Sequence, residues 1–189
     1  MKHTDQALVK ACLKHKKQAQ EELYRRFSYM VKGVCLRYSR DVAEADDFLQ
    51  DAFIKTFEKL NQYKGTGALG GWVRRIAVTT ALESLRKQKI KVTELSIHIE
   101  QLIPDEEADV LFQKIDLDVL VSKIQRLPLG YRTVFNLYAI EGYTHQEIAD
   151  DLSITVGTSK SQYSRARKLL IQMLESEELR TQKILNYVE

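Results

Sequence analysis

One stretch, residues 144–174, limits the fold more than any other. Thr144 is followed three residues later by Glu147, the spacing of a capping box, so a helix starts here. Ile148 and Leu152, four apart, share its apolar face. Ala149 falls where a second helix must approach closely. Ser153-Ile154-Thr155 suits a tight turn, with Thr155 placed to cap the helix that follows. That helix carries Lys160, Arg165, Arg167 and Lys168, and no acid occurs between Asp151 and Glu175. Two short helices across a three- or four-residue turn, the second one basic, describe a helix-turn-helix that lays its second helix in a major groove. A solvated basic helix in an ordinary bundle explains the charge, but not the cap, the small residue and the missing acids together.

The rest of the composition sets bounds. At 189 residues the chain has room for two small domains, each with its own core. Two prolines and eight glycines suit a mostly helical protein. No apolar run approaches a membrane span, and Met1-Lys2-His3-Thr4-Asp5 is no signal peptide, so a cytoplasmic location is expected. Cys12 and Cys35 form no CxxC pair and sit in helical patterns as small core residues. His3, His15, His98 and His145 lack ligand spacing, so no metal site is expected. The net charge of +3 conceals an asymmetry. Residues 1–91 hold 19 Lys and Arg against 10 Asp and Glu, residues 92–119 hold 1 against 8, and the remainder 9 against 8. A basic front, an acidic joint and a basic patch on one helix suggest two polyanion-binding modules.

Helical periodicity covers residues 5–16 and 18–38, the latter through Leu23, Tyr24, Phe27, Met30, Val31, Val34, Cys35 and Tyr38. After Asp41, a natural cap, residues 42–60 give a second stripe opposite a face of Glu44, Asp46, Asp47, Gln50 and Asp51. Solvation alone would explain so many acids equally well. Residues 61–71 form a loop whose Gly65-x-Gly67-x-x-Gly70 spells a dinucleotide fingerprint. No strand precedes it, so a nucleotide site is rejected. Residues 71–89 form a helix that opens on Trp72 and carries Arg74, Arg75, Arg86, Lys87 and Lys89. An aromatic beside a glycine loop on a basic helix suits single-stranded nucleic acid, and a core tryptophan under solvated cations suits it equally. Residues 90–110 read as an acidic linker, a helical pattern resumes near Asp109 and stops at Leu127-Pro128, and residues 129–140 form a short helix. The charged tail, 176–189, is expected to fray. The fold class is therefore all-α, with two small helical domains: 1–89, then the linker 90–110, then 111–175 with the helix-turn-helix last.

Taken together, these segments resemble the extracytoplasmic-function sigma factors of the bacterial sigma-70 family. Ala45-Asp46-Asp47-Phe48-Leu49-Gln50-Asp51-Ala52-Phe53 looks like the family's core-binding segment. Trp72-Val73-Arg74-Arg75-Ile76-Ala77 with Leu85-Arg86-Lys87 looks like its promoter-melting helix. Leu127-Pro128 to Tyr131-Arg132, Glu147-Ile148-Ala149, Gly157-Thr158 and Ser164-Arg165-Ala166-Arg167 match region four, and residues 18–88 and 112–174 carry the likeness. The resemblance implies that Asp47, Gln50 and Asp51 dock on the clamp helices of the largest RNA polymerase subunit, with a further contact to the polymerase flap. It implies that Lys64, Trp72, Arg74, Arg75, Thr79 and Arg86 capture and melt the minus-ten element. Lys160, Ser161 and Arg165 would read the minus-thirty-five element while Thr158, Arg167 and Lys168 hold phosphates, with Ser164 also on the DNA-binding face. It also implies an anti-sigma partner, no cofactor and no catalytic activity.

The departures from the family are specific. Thr79 stands where asparagine is common, Glu83 where aspartate is, Ser159 for a valine and Gln162 for an arginine. Ser153 replaces the common turn glycine, which is tolerable where the backbone there is not left-handed. The rival reading is a stand-alone helix-turn-helix regulator dimerising through residues 18–88.

Overall fold

The computed structural model describes residues 4–87 and 117–188, with side chains for 4–86 and 119–176. The described residues are helical and contain no strand, and the chain divides into two compact units, 1–90 and 91–189. The fold is all-α with two domains. The expected linker, 90–110, and the resumption of helix near Asp109 lie outside the described residues.

The first unit holds α1 (Asp5–Leu13), α2 (Lys17–Tyr38), α3 (Val42–Lys59) and α4 (Leu69–Lys87), with a short 3₁₀ turn at Leu60–Gln62. Helices α2, α3 and α4 pack pairwise into a bundle, and α1 lies against α2. Each helix begins or ends for a local reason. Thr4 Oγ1 accepts the Ala7 N–H at the start of α1, and His15 (φ 55°) turns the chain out of it. Asp41 caps α3 by accepting the Glu44 N–H at 2.8 Å. The core is the meeting of apolar stripes: Leu23, Val31, Val34 and Tyr38 from α2, Phe48, Ala52 and Phe53 from α3, and Val73, Ala77 and Ala81 from α4. A fully buried leucine of this kind contributes about 1.5–3 kcal/mol relative to an exposed one. Cys12 and Cys35 are buried free thiols; burial pushes Cys35 up to about 12, so it is inert as a nucleophile at neutral pH.

The second unit holds α5 (Leu117–Arg126), α6 (Leu129–Phe135), a π-helical turn at Asn136–Ile140, α7 (His145–Leu152) and α8 (Val156–Val188). Pro128 precedes α6, and its carbonyl accepts the Arg132 N–H at 2.9 Å. The short helix expected over 129–140 is α-helical only to Phe135. From there the bonds lengthen by one residue, with the Glu141 N–H reaching the Asn136 carbonyl at 2.9 Å. Gly142, at φ +76°, then turns the chain into α7. Ile124, Leu127, Tyr131, Phe135, Ala166 and Leu170 form a core in which α8 is packed against α6, and α7 also lies on α8. The charged tail is helical: α8 runs unbroken past residue 176 to Val188.

Candidate nucleic-acid and protein interfaces

The helix-turn-helix is built by caps at each junction. Thr144 Oγ1 accepts the Glu147 N–H at 3.2 Å, and Glu147 Oε2 accepts the Thr144 N–H at 2.8 Å, closing the capping box. Ile148 and Ala149 are buried against α8. Ser153 ends α7 in the left-handed region, φ 54° and ψ 46°, so the condition under which serine would replace glycine freely is not met. Thr155 Oγ1 accepts the Thr158 N–H at 3.0 Å and bonds the Thr158 hydroxyl at 2.9 Å, which starts α8.

On α8 the residues separate by face. Lys160, Ser161 and Ser164 are exposed in one row, flanked by half-buried Thr158, Arg165 and Lys168. Arg167 stands apart. It is only 9% exposed, with its guanidinium 5.8 Å from the Tyr163 ring centroid, so it packs against the domain and does not stand in the exposed row. Ser159 is fully buried, its Oγ 2.9 Å from Nδ1 of His145 on α7. His145 stacks on Tyr138 with centroids 4.2 Å apart, and Tyr138 meets Tyr163 at 4.6 Å. Burial, and then the charge of Lys160, hold the His145 imidazole below its ordinary range. Sequence reasoning missed this cluster, because the bond from His145 to Ser159 spans fourteen residues and follows neither a cap nor a helical period.

In the first unit, Trp72, Arg75, Thr79 and Arg86 recur at helical spacing along one side of α4, with Glu83 among them. Arg75, Thr79 and Arg86 are exposed and Trp72 is half-buried. Arg74, two residues beyond Trp72 and so about 200° around the helix, is half-buried on another side and does not belong to this row. The Thr79 hydroxyl donates back to its own helix, shared between the Arg75 and Ile76 carbonyls at 3.0 Å each, which leaves only its oxygen lone pairs and its methyl outward. Before α4, Tyr63 donates its hydroxyl to the Gly67 carbonyl at 2.7 Å and meets Trp72 with centroids 5.6 Å apart. Gly65 (φ +74°) and Gly67 (φ +80°) take conformations open to glycine, and exposed Lys64 lies beside them.

The acidic face of α3 is narrower than its sequence suggests. Glu44 is only 9% exposed; its carboxylate accepts the Arg40 N–H at 2.6 Å and its guanidinium at 3.1 Å. Asp46 pairs with Lys32 of α2. Asp47, Gln50 and Asp51 remain exposed, and among the described residues neither aspartate has an ion-pair partner. Ile54, 56% exposed, extends the patch by one turn. Among the described residues there is no cluster of three metal-ligating side chains, and no helix is long and apolar enough to cross a membrane.

Residues 23–90 match the family "Sigma-70 region 2" and residues 117–170 match "Sigma-70, region 4". The chain is 32% identical to the ECF RNA polymerase sigma-E factor of Haemophilus influenzae, over 88% of this chain and 93% of that one. It is 29% identical to the RNA polymerase sigma-H factor of Pseudomonas aeruginosa, over 90% and 94% respectively. Among solved structures it is similar to the sigma factor RpoE of Bartonella quintana, crystallised with the anti-sigma factor NepR. That likeness has a TM-score of 0.51 at 21% identity, over 82% of this chain and 96% of that one, and it speaks to the fold alone.

Proposed function

The chain belongs to the sigma-70 family, in its extracytoplasmic-function group, and on that premise we propose that its two units divide promoter recognition between them. The carrying observation is the pair of separate rows: exposed Lys160, Ser161 and Ser164 on α8, and exposed Arg75, Thr79 and Arg86 with half-buried Trp72 on α4. The α8 row, with Arg165 beside it, lies in the duplex major groove of the minus-thirty-five element. Thr158 and Lys168 hold phosphates, which fix register without reading sequence. One arginine placed bidentate on guanine discriminates by about 1–3 kcal/mol.

The α4 row and the loop at 63–68 take the minus-ten element as a single strand. Extruding a base costs a few kcal/mol in lost stacking, and a cationic helix with an aromatic beside a glycine loop offsets that cost. Thr79 offers the base no donor, since its proton is already bound to the backbone, so this position reads by shape or as an acceptor. Asp47, Gln50 and Asp51, with Ile54, form the surface that core RNA polymerase grips: exposed polar groups beside an exposed apolar side chain. An anti-sigma partner competes for the same surface, and the protein acts in the cytoplasm, where polymerase is. No residue is assigned a catalytic role.

The test of the polymerase surface is a binding measurement. Asp47→Ala combined with Gln50→Ala in the full chain should weaken association with core polymerase by roughly tenfold or more. Binding to a minus-thirty-five duplex should stay as it was. Unchanged polymerase affinity would remove α3 from the interface.

A further inference from the structure

Helix α4 opens without a cap of its own. It begins at Leu69, and the residue before it is Ala68, whose methyl cannot accept a hydrogen bond from the orphan N–H groups of the first turn. The missing acceptor comes from 64 residues away. Asp5, the first residue of α1, accepts the Leu69 N–H on Oδ2 at 3.1 Å. Its Oδ1 accepts from Arg26 Nη1 at 3.0 Å, and Arg26 Nη2 donates to Glu22 at 2.7 Å, so the carboxylate is held at both oxygens. A carboxylate at a helix N-terminus also interacts favourably with the helix dipole. The neighbouring residue reaches the other end of the loop: the Gln6 amide nitrogen lies 3.5 Å from where a Cβ on Gly65 would stand. The start of α1 therefore brackets residues 65–69, while Tyr63 ties the Gly67 carbonyl from within.

We propose that Asp5 is a positioning residue for minus-ten capture: by capping α4 from outside, it sets where the glycine loop and the Trp72 turn stand. This rests on the reading of that loop as the base-capturing segment. Two left-handed glycines give the loop freedom that its own bonds restrict only at Gly67, and Asp5 fixes the point where it enters the helix. Asp5 touches no base; its effect is on the population of loops ready to receive one.

The experiment uses holoenzyme assembled from core polymerase and the full chain, on a promoter selected by the wild-type protein with 2-aminopurine at the minus-ten position. Asp5→Ala should lower the extent of opening about fivefold, the factor that one helix cap carries. Asp5→Asn, which keeps an acceptor but loses the charge held by Arg26, should fall between. Ala68→Ser, added to Asp5→Ala, leaves the Leu69 N–H without its acceptor but caps the same first turn at the Gly70 or Gly71 N–H, and should restore part of the opening. Core affinity and minus-thirty-five binding should not move in any of them. Opening by Asp5→Ala equal to wild type overturns the proposal. So does a loss shared equally by core affinity, or one that Ala68→Ser leaves uncorrected, since either assigns Asp5 to general packing. A wild-type protein that opens no promoter at all instead removes the base-capture reading on which the proposal stands.

Discussion

Ser153 holds a backbone conformation that its side chain resists. At φ 54° and ψ 46° it closes α7, donating its N–H to the Ala149 carbonyl, and the Ile154 N–H reaches the same carbonyl at 3.0 Å. A side chain with a Cβ is disfavoured there by roughly 1–2 kcal/mol relative to glycine, offset by about 0.4–1 kcal/mol because glycine leaves the unfolded chain freer. Ser153→Gly should therefore stabilise the second unit by about 0.5–1 kcal/mol. Urea unfolding followed by amide exchange at α7 and α8 checks this. Tryptophan emission would not, since Trp72, the one tryptophan, is in the first unit. A variant less stable than wild type would mean that the serine hydroxyl contributes something absent from these contacts. The departure from glycine was legible in the sequence. That the position is left-handed was not, because a three-residue turn between helices can be closed with or without it.

At the scale of elements, α7 and α8 are joined by more than apolar packing. His145 on one and Ser159 on the other share a hydrogen bond, with Tyr138 stacked on the imidazole and Tyr163 tilted against Tyr138. Burial first, and Lys160 second, disfavour the protonated imidazole in the folded state. Below the ordinary value of 6.5 the unfolded chain takes up a proton that the folded one resists. Unfolded molecules then bind more protons, so stability rises with pH across that window. The contribution is fully present above about 6.5 and is lost as pH falls toward the depressed folded value. The thermal midpoint of the second unit should fall on acidification from about pH 7.5 to 5.5 by more in wild type than in His145→Asn. Equal slopes would show that His145 does not titrate against the fold.

The same elements show what a sequence discloses. The capping box at Thr144, the Asp41 cap and the apolar stripes follow spacings of three and four residues, which one helix turn fixes without help from the rest of the chain. Glu44 looked like part of the acidic face because it shares that face's periodicity, but Arg40, four residues earlier, recruits it. Arg74 and Arg167 counted as cations in a basic helix, and only the packed domain shows on which side each lies. Asp5 on Leu69 and His145 on Ser159 are joined by tertiary approach, and no local signal marks either pair.

For the whole molecule, the division into two units, each carrying its own exposed row, is what the proposed activity needs. A promoter is read at two separated elements, one as duplex and one as melted strand, and each demands a different chemistry. On the proposed reading, the α8 row would offer charge and hydroxyls to groove edges, and the α4 row an aromatic and a glycine loop to an unstacked base. The charge asymmetry along the chain, basic, then acidic, then mildly basic, is legible directly from composition.

The most direct measurement is run-off transcription with sigma-free core polymerase on fragmented genomic DNA from the protein's own source, with and without the full chain. Transcripts that appear only with the protein, each starting a fixed distance from a shared two-part sequence, are the expected result. They should vanish when Asp47→Ala and Gln50→Ala are combined. No transcript, from a chain that by itself binds a two-fold symmetric duplex tightly, would contradict the account and make it a stand-alone regulator.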